Sequence, residues 1–241
     1  MSLKILVLVA GIFLASLSLS FVSSAQAAPS LDLTVQQQSI VTIAAFTANG
    51  NMDKLKTALN EGLDAGLTVN EIKEVLVQMY AYTGFPRSLN AINNFIAVME
   101  DREKRGFKDE IGPEATSLPA GKSSLEFGSE VQTKLIGAPA TGKYIAFTPA
   151  IDTFLKAHLF GDIFVRGILD FQSREIATIS ALSSMEGVNS QLQSHFNVGL
   201  NTGLTETQLR NLISVLAGKV GKAEAANATE VLNKVIIARS R

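Results

Sequence analysis

Residues 60–76 read NEGLDAGLTVNEIKEVL, and residues 197–213 read NVGLNTGLTETQLRNLI. Asn60, Gly62, Leu63, Gly66, Leu67 and Thr68 return 137 residues later as Asn197, Gly199, Leu200, Gly203, Leu204 and Thr205. The match extends upstream, where IVTIAA (40–45) faces IATISA (176–181) at a spacing of 136, and downstream, where Gly84 and Asn90-Ala91 return as Gly221 and Asn227-Ala228. The chain therefore holds two copies of one unit of about 70 residues, and internal duplication organises everything else.

The unit is helical. Ile72, Val75, Leu76 and Met79 fall at i, i+3, i+4 and i+7, as do Leu209, Leu212, Ile213 and Leu216, so each copy has an amphipathic helix with one buried stripe. Thr68-x-x-Glu71 and Thr205-x-x-Gln208 are capping boxes, which satisfy free backbone donors at a helix start. Gly66 and Gly203, just before them, suit the left-handed position that ends the preceding helix. Neither copy has the strand that a dinucleotide-binding glycine fingerprint requires.

These patterns predict an all-α fold: a first repeat over 28–104, a second over 148–241, and a pseudo-twofold between them. The connector, 105–147, is an arm rich in Pro and Gly, including Pro113, Pro119, Gly128 and Pro139, with a short helix expected over 123–136. A further helix is expected to start near 148 and to stop at Gly161-Asp162.

Residues 1–27 have the form of a secretory signal peptide. Lys4 gives a positive start, residues 5–21 are almost wholly apolar or small, and Ala25-Gln26-Ala27 resembles a signal peptidase site. A single membrane anchor is the competing reading; the cleavage site favours removal, and a periplasmic or secreted protein with no membrane span afterwards. The charge is nearly balanced, 21 Lys+Arg against 22 Asp+Glu, so no nucleic-acid partner is expected. Cysteine is absent, which excludes disulfides, thiol nucleophiles and Cys-ligated zinc.

His195 is one of two histidines. Leu192, Phe196 and Gly199 lie at i−3, i+1 and i+4, so its imidazole sits on or beside an apolar stripe. On the preceding helix Glu175 shares a side with Ile179 and Leu182, and a carboxylate facing the core needs a partner, either His195 or Arg174. A Glu that orients a His would make a proton-transfer pair. The same pattern suits a hydrogen-bonded residue at the edge of the core, and spacing alone does not choose. His158 has the same ambiguity: core edge, second proton carrier or substrate contact. No HxxxH, HExxH or HxH spacing calls for a metal, and no nucleophile elbow surrounds Ser183, Ser184, Ser190 or Ser194.

The copies have diverged unequally. Near the place of Arg174-Glu175 the first copy has Gln37 and Gln38, and at the place of His195 it has Ala58, but it keeps YAYTGFPRSLNAI (80–92) where the second has AGKVGKAEAANAT. If the halves pack as a pseudo-twofold pair, Glu175 and His195 face a wall of Tyr80, Tyr82, Phe85 and Pro86, giving one composite pocket. Divergence without function explains the pattern too.

GLDAGLTVNEIKEVLVQMYAYTGFPRSLNA, REIATISAL and QLQSHFNVGLNTGLTETQL resemble the carboxymuconolactone decarboxylase family, over 33–100 and 150–238. That resemblance implies helical hairpins of the alkylhydroperoxidase D-like type that assemble through intertwined subunits. The family's peroxidase branch uses a CxxC motif; this chain has GVNS at 187–190, so thiol peroxidase activity does not carry over. Glu175 and His195 match the glutamate and histidine of the decarboxylase branch, which needs no cofactor. The resemblance thus implies a cofactor-free lyase or isomerase acting on a small carboxylated lactone or enol-type acid. His195 would be the proton donor and Glu175 its orienter, with Arg174 or Arg87 as a carboxylate clamp. A small-molecule-binding or scaffold protein that keeps the fold without the chemistry is the alternative. Tandem copies satisfy internally a pairing that single-copy relatives make between chains, so a homodimer or homotrimer is expected.

Overall fold

The computed structural model describes residues 32–241; the expected signal peptide, 1–27, lies outside them. No strand occurs among the described residues. The first copy forms α1 (Val35–Asn49), α2 (Met52–Asp64) and α3 (Val69–Lys104). The connector and the opening of the second repeat together form one arm, which carries α4 (Ser124–Ile136), two single-turn helices, α5 (Lys143–Phe147) and α6 (Pro149–Thr153), and a π-helical segment, Phe154–Ile163. The second copy forms α7 (Phe171–Ser183), α8 (Asn189–Asn201), α9 (Glu206–Val215), a π-helical turn, Leu216–Val220, and α10 (Lys222–Arg239). Among the described residues no helix is long and apolar enough to cross a membrane.

The two equivalent helices α1 and α7 sit at the centre and pack on each other. All of α1 from Ser39 to Ala48 is buried, as is all of α7 from Arg174 to Ser183. A helix buried on every side shows little amphipathicity, and its sequence is accordingly rich in Ile, Ala, Ser and Thr rather than striped. Ala44, Ala45, Ala177 and Ala181, all fully buried, let the backbones approach. Burying each Ile of this pair contributes roughly 2 kcal/mol.

Equivalent positions make equivalent contacts. A methyl on Gly62 would meet Ile43 Cδ1 at 3.0 Å and Leu67 Cδ1 at 3.3 Å; one on Gly199 would meet Ile179 Cδ1 at 3.2 Å and Leu204 Cδ1 at 3.3 Å. Both capping boxes are formed, at Thr68 with Glu71 and at Thr205 with Gln208, and Gly66 and Gly203 are both left-handed, at φ 93° and 98°. Each copy also breaks its third helix at the same glycine. Gly84 interrupts α3 at φ 80°, ψ 158°, with Pro86 just beyond, and Gly221 separates the π-helical turn from α10. Ser88 Oγ spans the first break by donating to the Leu76 carbonyl at 2.7 Å.

The arm wraps the start of α3, where Val69 and Asn70 donate backbone hydrogen bonds to the carbonyls of Glu110 and Ile111. Buried Arg102 holds its root through Asp64 at 2.9 Å and Asp109 at 2.8 Å. The short helix expected over 123–136 is α4, capped by Ser123. The expected helix stop at Gly161-Asp162 is not observed: the π-helical segment runs through both residues, and the left-handed turn comes at Gly167. Gly161 serves a close crossing instead. A methyl there would overlap the Ser124 carbonyl, and one at Gly128 would overlap the carbonyl of Lys156. Around this crossing Val131, Leu135, Leu159, Phe160, Ile163, Phe164 and Val198 form a second apolar cluster, which fastens the arm to α8.

Candidate functional site

α7 enters the core with two charged residues in succession, Arg174 and Glu175, both with no solvent exposure. Adjacent residues on a helix point about 100° apart, so they face different neighbours. Glu175 faces α8, where His195 Nδ1 lies 2.8 Å from Glu175 Oε2. A carboxylate on Nδ1 fixes the proton there in the neutral ring and leaves Nε2 as the nitrogen that exchanges protons. The His195 side chain keeps 15 % exposure, and Nε2 makes no hydrogen bond within the described residues.

Tyr82, from α3 of the other copy, closes one side. Its ring meets the imidazole edge to face, with centroids 5.4 Å apart. Burial first, and then the neighbouring Glu175 charge, raise its phenol well above the ordinary tyrosine range, so the hydroxyl stays protonated. Thr178 and Arg174 act on that hydroxyl in the opposite sense. Tyr82 Oη and Glu175 Oε1 are both buried and lack a hydrogen-bond partner of normal geometry among the described residues. Two orphaned polar atoms, a donor and an acceptor, thus flank one imidazole. Buried polar groups are ordinarily paired, and orphans of this kind are where a ligand or water is expected.

Arg174 faces α3 instead. Its Nη2 donates to Glu74 Oε1 at 2.8 Å and its Nη1 to Gln78 Oε1 at 2.9 Å, and the guanidinium lies over the Phe164 ring, 5.0 Å from the centroid. Gln78 Nε2 in turn donates to Thr178 Oγ1 and to the Arg174 carbonyl, both at 2.9 Å, while Arg166 at the end of the arm donates to Glu74 Oε2 at 2.8 Å. Arg174 is thus committed to a buried seam between the copies. Arg87 donates to the Ala48 carbonyl at the end of α1. Neither arginine pairs with Glu175 or His195.

The aromatic wall is divided. Tyr82 packs on His195, whereas Tyr80 stacks on exposed Phe85 at 4.4 Å and leans on His158 at 5.5 Å. Tyr80 and Tyr82 are two residues apart, about 200° around the helix, so their side chains turn to different faces. His158 Nδ1 lies 2.8 Å from Asp162 Oδ2, and Asp162 also accepts from the Ser124 hydroxyl. Pro86 is exposed beside the kink. Glu74, Gln78, Thr178 and Arg166 are not singled out in the sequence, and Asp162 only as part of a helix stop; the i, i+4 spacing of Glu74 and Gln78 beside the stripe of Ile72 and Val75 is the signal that would have found the seam. No three of His, Asp and Glu converge as a metal site among the described residues.

The sequence model of the carboxymuconolactone decarboxylase family matches residues 24–95 and 149–234, once on each copy, and the chain belongs to that family. No curated protein matches the chain in sequence.

Proposed function

We propose that the chain is a cofactor-free carboxy-lyase or isomerase, acting on a small carboxylated lactone or enol-type acid through Glu175 and His195. The observation that supports this reading is the 2.8 Å contact between His195 Nδ1 and Glu175 Oε2, with Nε2 unengaged and Tyr82 Oη and Glu175 Oε1 orphaned beside it. In a γ-carboxylated unsaturated lactone the bond from ring carbon to carboxylate breaks and its electron pair moves through the conjugated alkene to the lactone carbonyl oxygen. Carbon dioxide leaves. Protonated His195 then delivers its Nε2 proton to the resulting dienolate carbon, and the neutral imidazole keeps its Nδ1 proton on Glu175. The Tyr82 hydroxyl, held neutral, donates to the oxygen where charge develops. Its ring covers the imidazole and limits water at a site where charge is lost. Processing after Ala27, export, and assembly as a dimer or trimer belong to the same proposal.

The test is a panel of unsaturated lactone carboxylates and keto or hydroxy acids incubated in deuterated water, with carbon dioxide release and deuterium in the product as readouts. One product deuteron per carbon dioxide released supports the lyase reading; deuterium exchange without carbon dioxide supports isomerisation. A panel that yields neither contradicts both.

One observation favours a second reading. Glu175 has no solvent exposure and the His195 side chain keeps only 15 %, while five cavities of about 270 to 550 Å³ lie elsewhere among the described residues. A non-catalytic binding or scaffold protein would have this character, and in it substitution of Glu175 or His195 changes melting temperature more than ligand affinity.

A further inference from the structure

The pseudo-twofold that gathers Tyr82, Thr178 and His195 gathers a second set of side chains on the opposite side of α1 and α7. At the spacings of 136 and 137 their counterparts are Lys219, Thr42 and Ala58. A cavity of about 270 Å³ lies there, lined by Thr42 and Phe46 of α1, Lys54, Ala58 and Glu61 of α2, and Lys219 of the π-helical turn. Its position follows from the fold rather than from chance surface relief.

Its chemistry differs from that of the Glu175–His195 side. Ala58 stands where the imidazole would be, and Ser39 where Glu175 would be, so the proton-transfer pair is absent. Removing the imidazole opens space, and replacing the phenol by Lys219 adds positive charge. Lys219 Nζ lies 2.7 Å from Glu61 Oε2. Lys54 Nζ sits 5.6 Å from the centre of the Phe46 ring and has no carboxylate partner among the described residues. Two ammonium groups against one carboxylate leave a net positive rim above a floor of Thr42, Phe46 and Ala58, all buried.

We infer that this hollow is a second binding site, one that holds a small carboxylate with an apolar body and does not turn it over. The ligand's carboxylate takes Lys54 and shares Lys219 with Glu61, charge-assisted contacts of the stronger kind. Its apolar body rests on Ala58 and Phe46. This inference does not depend on the lyase reading, because none of its residues touches Glu175 or His195.

Benzoate is a suitable probe and benzamide its uncharged control, with the methyl resonances of Thr42 and Ala58 followed by NMR in the full chain. Saturable shifts of both methyls by benzoate, and affinity for benzamide about tenfold lower, are expected. The double variant Lys54→Gln, Lys219→Gln weakens benzoate by a similar factor, whereas His195→Ala leaves these shifts unchanged. Absence of shifts at Thr42 and Ala58, equal affinity for benzamide, undiminished binding by the double variant, or loss of the shifts in His195→Ala would each overturn the inference.

Discussion

Arg174 of the second copy and Glu74 of the first meet at 2.8 Å with both side chains completely buried. Glu74 also accepts from Arg166, so one carboxylate anchors α7 and the end of the arm to α3. Removing one partner of a buried pair leaves an uncompensated charge and costs roughly 3–5 kcal/mol. Glu74→Gln is therefore expected to lower the chemical denaturation midpoint strongly with little change in slope. A midpoint equal to that of the parent chain would show that the seam contributes little.

The crossing of α4 and the π-helical segment is set by two glycines. Gly161→Ala or Gly128→Ala places a methyl against backbone that cannot swing aside, at a cost of about 1–3 kcal/mol. The damage should be local. Hydrogen exchange is expected to quicken in α4 and Phe154–Ile163 while α1 and α7 keep their protection; uniform quickening would mean that the arm and core unfold as one unit.

Acid should loosen the same arm first. Burial alone would raise the Asp162 carboxyl, but hydrogen bonds from Ser124 and His158 outweigh it and hold Asp162 below its ordinary value. The Ser123 backbone N–H, and then its hydroxyl, likewise hold Glu126 low at the start of α4. A carboxyl depressed in the folded state contributes stability in full above its unfolded pKa, about 4, and loses it as pH falls through the lower folded value. Below about pH 4, α4 amide protection is expected to fall before that of α1 and α7. Protection in α4 that persists to the acid limit of the core would contradict this.

Tyr82→Phe separates function from stability. Its hydroxyl is buried without a hydrogen bond of normal geometry, so deleting it removes a desolvation cost and is expected to leave stability unchanged or raised by up to about 1 kcal/mol. If Tyr82 serves a developing negative charge, turnover of a panel substrate falls all the same. Thermal unfolding and steady-state rates on one preparation check both; a marked fall in stability with unaltered turnover would make Tyr82 a packing residue.

Much of the fold was legible because the chain states its helical unit twice: capping boxes, left-handed glycines and apolar stripes recur in register, and repetition distinguishes signal from accident. Glu175 was legible as a buried carboxylate from its place beside Ile179 and Leu182, and its two candidate partners were both named. Which one it takes depends on the crossing of α7 with α8 and α3, a tertiary quantity that periodicity along one helix does not contain. Gly161 misled for a related reason. A glycine that ends a helix and one that admits another backbone look alike in sequence, and only the presence of α4 against Gly161 separates them. The division of Tyr80 from Tyr82 was readable in principle, since their helical positions differ by some 200°.

The most direct measurement is turnover of the best panel substrate by His195→Ala, alongside its far-ultraviolet circular dichroism. A proton-transferring imidazole contributes about 10²- to 10⁴-fold to rate, and His195 lies at the exposed edge of the core, so a rate loss of that size with an unchanged helical spectrum is predicted. Parent-level turnover by a folded His195→Ala protein would contradict the account.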